Sequence, residues 1–364
     1  MIKTRRTDID TLRGISVISV VIFHINNSLF PNGYLGVDLF FVISGYVIAK
    51  SIISNLKNGN FSFYKFYLKR IRRILPALLI VLSTSLIIAV IILLTADLKR
   101  FTESLIASLG FASNFYFWLT GGYFSTNDQL KPILHLWSLS VEEQFYFFFP
   151  IFLFFLYKFF NQLKYYLIGI VLVSIISFIL NIYFLSHSDL VFFLSPARIW
   201  QFGIGAALAI SPNLKINNLW ADSIYLIFAF FLIIYNFFNI VDYLPDATLM
   251  CVGLGLILFK KANEKNYLYN FFRIKPLIFI GLISYSLYLW HWPIISFLKY
   301  IYIEGIPYHV IFFSLVIIFI LSILSWKFIE QPFLYKYSDN TSIKFIAINF
   351  LLLLIISFSI IASN

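Results

Sequence analysis

Arg13 and His24 stand eleven positions apart in the first apolar run of the chain, and Asp10 precedes Arg13 by three. At about 100° per residue, eleven residues make about three full turns. A helix therefore sets Arg13 and His24 on one face, roughly 16 Å apart along its axis, with Asp10 near the same face one turn earlier. Ionisable groups in an apolar run are costly and mark either partners or chemistry. An imidazole becomes a general base near neutral pH when a carboxylate fixes its tautomer. The candidate carboxylate is Asp38 in GYLGVDLFFVISGY (33–46), because a turn near 29–32 folds Asp38 level with His24. The competing reading is a snorkelling arginine, an interfacial histidine and an exposed aspartate.

Two further clusters carry charge. HLWSLSVEEQFYF (135–147) places Glu142 and Glu143 at the head of an apolar stretch. Adjacent residues point about 100° apart, so one of the pair faces a cavity. There it would hold an arginine or a sugar hydroxyl. Alternatively, the pair sits at a helix N-terminus, capped by Ser140 and favoured by the helix dipole. FYLKRIRRILPALL (66–79) puts Arg70 and Arg73 three apart on one face, ahead of a span with Pro76 in its first turn. Arginine forks bind phosphate oxygens in bidentate fashion; plain cytoplasmic anchoring is the alternative. Smaller signals are Ser113, Asn114 and Trp118 in SNFYFW (113–118) and the cation Arg198 in PARIWQFGIG (196–205). SYSLYLWHWPI (284–294) reads as an aromatic membrane belt, and Glu330 in SWKFIEQPF (325–333) as structural. The sequence shows no metal-ligand cluster, P-loop or GxSxG elbow.

The elements that must position these groups are membrane helices. Hydrophobic residues make up 61% of the 364, charged residues 12%, and the mean hydropathy is +0.89. A soluble core cannot hide that much apolar surface. Twelve apolar runs are expected, near 10–30, 34–54, 74–95, 101–119, 142–160, 164–185, 195–211, 220–240, 244–260, 276–300, 308–328 and 343–362. The fold class is an all-α polytopic bundle without linkers or internal repeats. Its two parts are a domain over 1–333 and an extra helix over 334–364. Cys251, the single cysteine, forms no intrachain disulfide. The net charge of +11 fits loops facing anionic lipid rather than nucleic acid. Arg13 interrupts the first run, which therefore reads as a retained span rather than a signal peptide.

Cations set the orientation. Lys3, Arg5 and Arg6, the segment 50–73, the segment 260–275 (with Lys260 and Lys261), and Lys327, Lys336 and Lys344 belong inside. The loops 26–33, 240–246 and 301–308, without Lys or Arg, belong outside. Six runs lie between 73 and 240, where an odd number must cross. One of them, 101–119 or 195–211, is expected to be re-entrant, lining a cavity. Eleven spans follow, with the N-terminus cytoplasmic and the C-terminus periplasmic.

The motifs IDTLRGIS (9–16), GVDLFFVISGY (36–46), RRILPAL (72–78), HLWSLSVEEQFY (135–146), SYSLYLWHWP (284–293) and SWKFIEQPF (325–333) together resemble the acyltransferase 3 family of bacterial membrane proteins. They come in that family's order across nearly the whole chain. SNFYFWLTGGYF (113–124) resembles the subgroup whose eleventh span precedes a periplasmic SGNH-type domain. Here an extra run, 343–362, follows, so the expectations are transfer alone, action with a separate SGNH-type partner, or a truncated member of that subgroup. The resemblance implies transfer of an acetyl or short acyl group from cytoplasmic acyl-CoA to a hydroxyl of a cell-surface glycan or lipid-linked sugar, such as lipopolysaccharide O-antigen, at the inner membrane. Acetyl-CoA is then a co-substrate, with no bound cofactor. Under this implication His24, oriented by Asp38, is the base. Glu142 and Glu143 complete the cavity, and Asp10, Arg13, Arg70, Arg73, Ser113, Trp118 and Arg198 bind substrate. A transporter or flippase of an acyl group or lipid-linked sugar is the rival reading.

Overall fold

The computed structural model describes residues 6–121, 128–160, 162–241, 243–260, 263 and 265–363. Lys3, Arg5 and Lys261, residues 122–124 of the SNFYFWLTGGYF motif and residue 242 of the 240–246 loop lie outside the described residues. Fifteen α-helices are present among the described residues: α1 (Thr7–Ile25), α2 (Gly36–Lys57), α3 (Phe63–Ile92), α4 (Thr95–Leu109), α5 (Ser113–Thr120), α6 (Leu136–Phe160), α7 (Leu163–Tyr183), α8 (Ser188–Phe193), α9 (Ile199–Ile210), α10 (Leu219–Phe238), α11 (Thr248–Phe259), α12 (Lys275–Ile301), α13 (Tyr308–Ser325), α14 (Gln331–Tyr335) and α15 (Asp339–Ser363). Among the described residues eight helical segments are long and apolar enough to cross a membrane, so the protein is a multi-pass membrane protein.

Four of the twelve runs expected fall outside that set, for local reasons. The helix α1 carries Asp8, Asp10 and Arg13 within its first seven residues. The run 101–119 is broken between α4 and α5, where Phe111 takes a positive φ of 50°. The runs 195–211 and 244–260 each yield a helix of 12 residues, α9 and α11. Twelve residues rise about 18 Å, short of a hydrocarbon core about 30 Å thick. Both segments suspected of being re-entrant are thus interrupted or short, as is a third that was not suspected.

The chain divides into two compact units. One comprises Met1–Phe61 and Gln144–Ser284, the other Ser62–Glu143 and Tyr285–Asn364. In the first unit α2 packs along α9. Two glycines permit this. A methyl added at Gly45 would strike the carbonyl of Phe202, and one added at Gly205 that of Val42. Phe41 stacks on Phe202 at 4.5 Å between ring centres, and Phe145 stacks on Phe202 at 4.3 Å. The non-helical turn before α9 is held by α7: Ser177 Oγ donates to the Pro196 carbonyl at 2.6 Å, and Asn181 Nδ2 to the Ala197 carbonyl at 2.9 Å. Irregular backbone at membrane depth needs such partners. The outer faces of α7 and α10 remain apolar and exposed, as lipid-facing helices do.

In the second unit the basic segment before the apolar run is itself helical. Ser62 caps α3 by accepting from the Lys65 amide. Pro76, expected in the first turn, therefore lies inside α3. The helix α15 packs against α3 and α4. A π-helical turn, Trp326–Glu330, joins α13 to α14.

Candidate functional site

In the first unit α1 is continuous from Asp10 through Arg13 to His24, so the one-face placement of Arg13 and His24 holds. Asp10 and His24 are 7% and 6% exposed, and Arg13 is half-buried. His24 lies in the last turn of α1, and Asp38 in the first turn of α2 after a turn at Gly33–Leu35.

Asp38 is buried in an ion pair. Arg198 donates from Nη1 to its Oδ1 at 2.7 Å, and Gln201 Nε2 donates to the same oxygen. Arg198 also donates from Nε to the Phe192 carbonyl at 3.0 Å, and its guanidinium lies 5.0 Å from the Phe192 ring centre. The turn before α9, tied down by Ser177 and Asn181, aims Arg198 at Asp38. A run of aromatic contacts connects the two ends of the site. His24 is 5.3 Å from Phe23, Phe23 is 5.3 Å from Tyr34, and Tyr34 is 6.3 Å from Phe192. Tyr34 donates to Asp246 at 2.9 Å. The ensemble can fix a carboxylate charge rigidly in the first turn of α2. Gln201 and Asp246 carry no sequence signal of their own; Gln201 follows Arg198 by one turn, and this was the one available hint.

In the second unit the alternative of a helix N-terminus capped by Ser140 fails. The helix α6 begins at Leu136, so Ser140 is internal and caps nothing, and its first turn has no acid. Ser140 Oγ instead pairs with Ser113 Oγ at 2.8 Å and accepts from the Ser113 amide at 3.3 Å. Glu142 and Glu143 thus occupy the second turn, beyond the reach of the helix-terminus explanation. Glu143 lies within electrostatic range of Glu142, Arg70 and Arg73. Its Oε1 is buried without a hydrogen-bond partner among the described residues. Trp118 is half-buried on α5, and Asn114 is fully buried beside Ser113.

The arginines of α3 divide their work. Arg72 donates to the Phe333 carbonyl at 2.8 Å, to the Tyr337 carbonyl at 2.5 Å and to Asp339, clamping the 333–339 segment. Arg70 and Arg73 lie within electrostatic range of Glu143. Glu330, expected to be structural, is 6% exposed in the π-helical turn and accepts from Ser286. Tyr285, which donates to the Ile74 carbonyl at 2.8 Å, feels the charges of Glu330, Glu143, Glu142 and Arg73 together. Glu330 therefore belongs to this charged cluster, and a π-helical turn is itself a frequent marker of a functional position. No group of three or more metal-ligating side chains gathers among the described residues.

The sequence of residues 6–327 matches a family model described as an acyltransferase domain. Among curated proteins, "Putative O-acetyltransferase SACOL0978" of Staphylococcus aureus strain COL is 34% identical over 346 residues, covering 89% of this chain and 56% of the relative. "O-acetyltransferase OatA" of Staphylococcus aureus strain NCTC 8325 / PS 47 is 31% identical over 345 residues, with the same coverage of 89% and 56%. The chain thus spans about half the length of the curated relatives it matches. No solved structure matches.

Proposed function

Because the chain belongs to this acyltransferase domain family, we propose that it is a membrane O-acyltransferase. It moves an acetyl or short acyl group from cytoplasmic acyl-CoA to a hydroxyl of a cell-surface glycan, of which lipopolysaccharide O-antigen is one kind. The relatives' name, O-acetyltransferase, favours an acetyl donor and a hydroxyl acceptor. The observation that supports the reading is the continuous face of α1, with Arg13 in its second turn and a buried His24 at its far end.

His24 takes the proton from the acceptor hydroxyl as the oxygen attacks the thioester carbonyl. The tetrahedral intermediate collapses with loss of the CoA thiolate, which recovers a proton, and the ester remains on the sugar. Asp38 supplies the negative charge that favours the imidazolium, and Arg198 and Gln201 hold that carboxylate still. Arg13, some 16 Å from His24 by helix rise, serves the pantetheine arm. Arg70 and Arg73 serve the phosphates, and Glu142 and Glu143 set the arginines or the acceptor. Ser113 and Trp118 line the acyl path beside Ser140. Asp10 steadies Arg13 one turn away.

In this reading the N-terminus is cytoplasmic, the C-terminus is periplasmic or extracellular, and an SGNH-type protein is a candidate partner. The test is transfer of label from acetyl-CoA to surface glycan in membranes of a bacterium that lacks the activity. The reading requires label with the wild type and none with His24→Ala at equal protein level. Label that survives His24→Ala refutes it.

A further inference from the structure

Gln201 uses only one end of its carboxamide within the protein. The side chain is fully buried in the first turn of α9, and its Nε2 donates to Asp38 Oδ1, the oxygen that Arg198 also holds. That contact fixes which way the carboxamide points. A carboxylate oxygen accepts and does not donate, so it takes the amide nitrogen and turns Oε1 away. Oε1 is buried and has no hydrogen-bond partner among the described residues.

A buried carbonyl oxygen left open is costly. The turn ahead of Gln201 does not leave its backbone in that state. The Phe192, Pro196 and Ala197 carbonyls each receive a side-chain donor, from Arg198, Ser177 and Asn181 respectively. Asn181 Oδ1 and Trp200 Nε1 are open as well, but it is Gln201 that bonds the carboxylate of the Asp38–Arg198 pair. Its open oxygen therefore lies one carboxamide's width from the buried charge of that site.

The open atom selects its own ligand group. A neutral acceptor takes a neutral N–H or O–H; it repels phosphate and thiolate oxygen or sulfur, and it offers nothing to an acyl chain. The pantetheine arm of acyl-CoA carries two amide N–H groups. On a path through apolar surroundings each of them loses its water, and a donor buried without an acceptor weakens binding. A sugar hydroxyl at the outer surface keeps water as its partner and has no such need. We propose that Gln201 Oε1 accepts a hydrogen bond from one amide N–H of the pantetheine arm, so that Gln201 touches the acyl donor as well as holding Asp38. The proposal rests on the O-acyltransferase reading above.

The test removes the hydrogen from the substrate. Two isosteres of acetyl-CoA each replace one pantetheine amide N–H by an ester oxygen. Transfer from all three is measured in membranes with the full-length wild type, Gln201→Met, Gln201→Ala and Gln201→Glu. With the wild type, one isostere is expected to show a kcat/KM lower than that of acetyl-CoA by about fivefold or more. Gln201→Met and Gln201→Ala lack the acceptor, and in each the preference shrinks to below about twofold; either one suffices if the other fails to fold. A glutamic acid that shares one proton with Asp38 keeps a carbonyl oxygen in place, so Gln201→Glu retains the preference. A purely structural role for Gln201 lowers all three substrates alike and leaves their ratio as it was.

Equal kcat/KM for the three substrates with the wild type overturns the contact. So does a preference that persists in Gln201→Met or Gln201→Ala, which would assign the N–H to another acceptor. A raised KM for the glycan in those variants, with acyl-CoA ratios unchanged, would move the contact to the acceptor hydroxyl and also overturns it. No transfer from acetyl-CoA by the wild type sinks the acyltransferase reading and the contact together, whereas equal transfer from all three sinks the contact alone.

Discussion

Arg198 Nη1 lies 2.7 Å from Asp38 Oδ1, and the two side chains are 9% and 3% exposed. The pair joins the first turn of α2 to the turn before α9, so a single ion pair fixes a buried carboxylate within the first unit. Removing one partner strands a buried charge, a loss of about 3–5 kcal/mol. Arg198→Gln is expected to lower thermal stability steeply. A double variant, Asp38→Asn with Arg198→Gln, recovers part of that stability and none of the transfer. Thermal unfolding in detergent beside a transfer assay separates the two effects. Recovery of both would reduce the pair to a structural role.

The three arginines of α3 should respond differently. Arg72 is a clamp on the 333–339 segment, so Arg72→Ala lowers stability without a selective rise in the KM for acyl-CoA. Arg70→Lys with Arg73→Lys keeps the charge but loses the fork. One charge-assisted bond of about 1.5 kcal/mol corresponds to roughly a tenfold rise in the acyl-CoA KM. Steady-state kinetics with varied acyl-CoA checks this. An unchanged KM in the double lysine variant would remove the phosphate role.

Glu143 has a buried oxygen without a hydrogen-bond partner among the described residues. Burying that oxygen unpaired costs stability that the neutral isostere recovers, against the attraction of Arg70 and Arg73 that it gives up. Glu143→Gln should therefore leave the melting temperature unchanged or raised, while transfer falls at least tenfold. Full activity in Glu142→Gln with Glu143→Gln would show that the glutamates serve the fold and nothing else.

Gly205 meets the Val42 carbonyl, which is backbone and cannot step aside. Gly205→Ala forces α9 from α2 and is expected to destabilise by about 1–3 kcal/mol. It also moves the helix that carries Gln201, so transfer falls with it. The melting temperature in detergent checks the first point. A stable, active Gly205→Ala protein would contradict the close packing.

His135, just ahead of α6, gives a pH dependence. Burial, with a smaller contribution from the neighbouring His291, pushes its imidazole well below the ordinary value. The unfolded chain takes up that proton near pH 6.5, whereas the folded one refuses it. Below about pH 6.5 the unfolded state binds more protons, so stability falls as pH falls, by up to about 1.4 kcal/mol per pH unit. His135→Asn should flatten the slope between pH 6.5 and 5, read by thermal unfolding; an unchanged slope would place its origin elsewhere.

The helices were legible because apolar length is written locally. Runs such as 164–185 and 220–240 became α7 and α10 within a few residues. The faces of α1 and α3 were legible for the same reason, since 100° per residue is fixed by the backbone. What could not be read depended on partners distant in sequence. Arg198 announced itself as an intramembrane cation, but its pairing with Asp38 spans 160 positions. Ser140 looked like a cap because the start of α6 was placed six residues late, at 142 instead of Leu136. Glu330 looked structural because the π-helical turn that places it among the other charges leaves no trace in the hydropathy pattern. The short helices α9 and α11 passed for spans because their apolar flanks hid where the helices stop.

The central claim is that His24 does the chemistry at the end of a membrane-crossing acyl path. The most direct measurement is transfer of labelled acetyl from acetyl-CoA to surface glycan, comparing wild type with His24→Ala at matched protein level and with a soluble SGNH-type partner supplied. The account predicts label with the wild type and a loss of at least a hundredfold in the variant, in line with the scale of general-base catalysis, about 10²–10⁴. Equal label from both proteins would contradict it, and would leave a carrier that needs no base at His24.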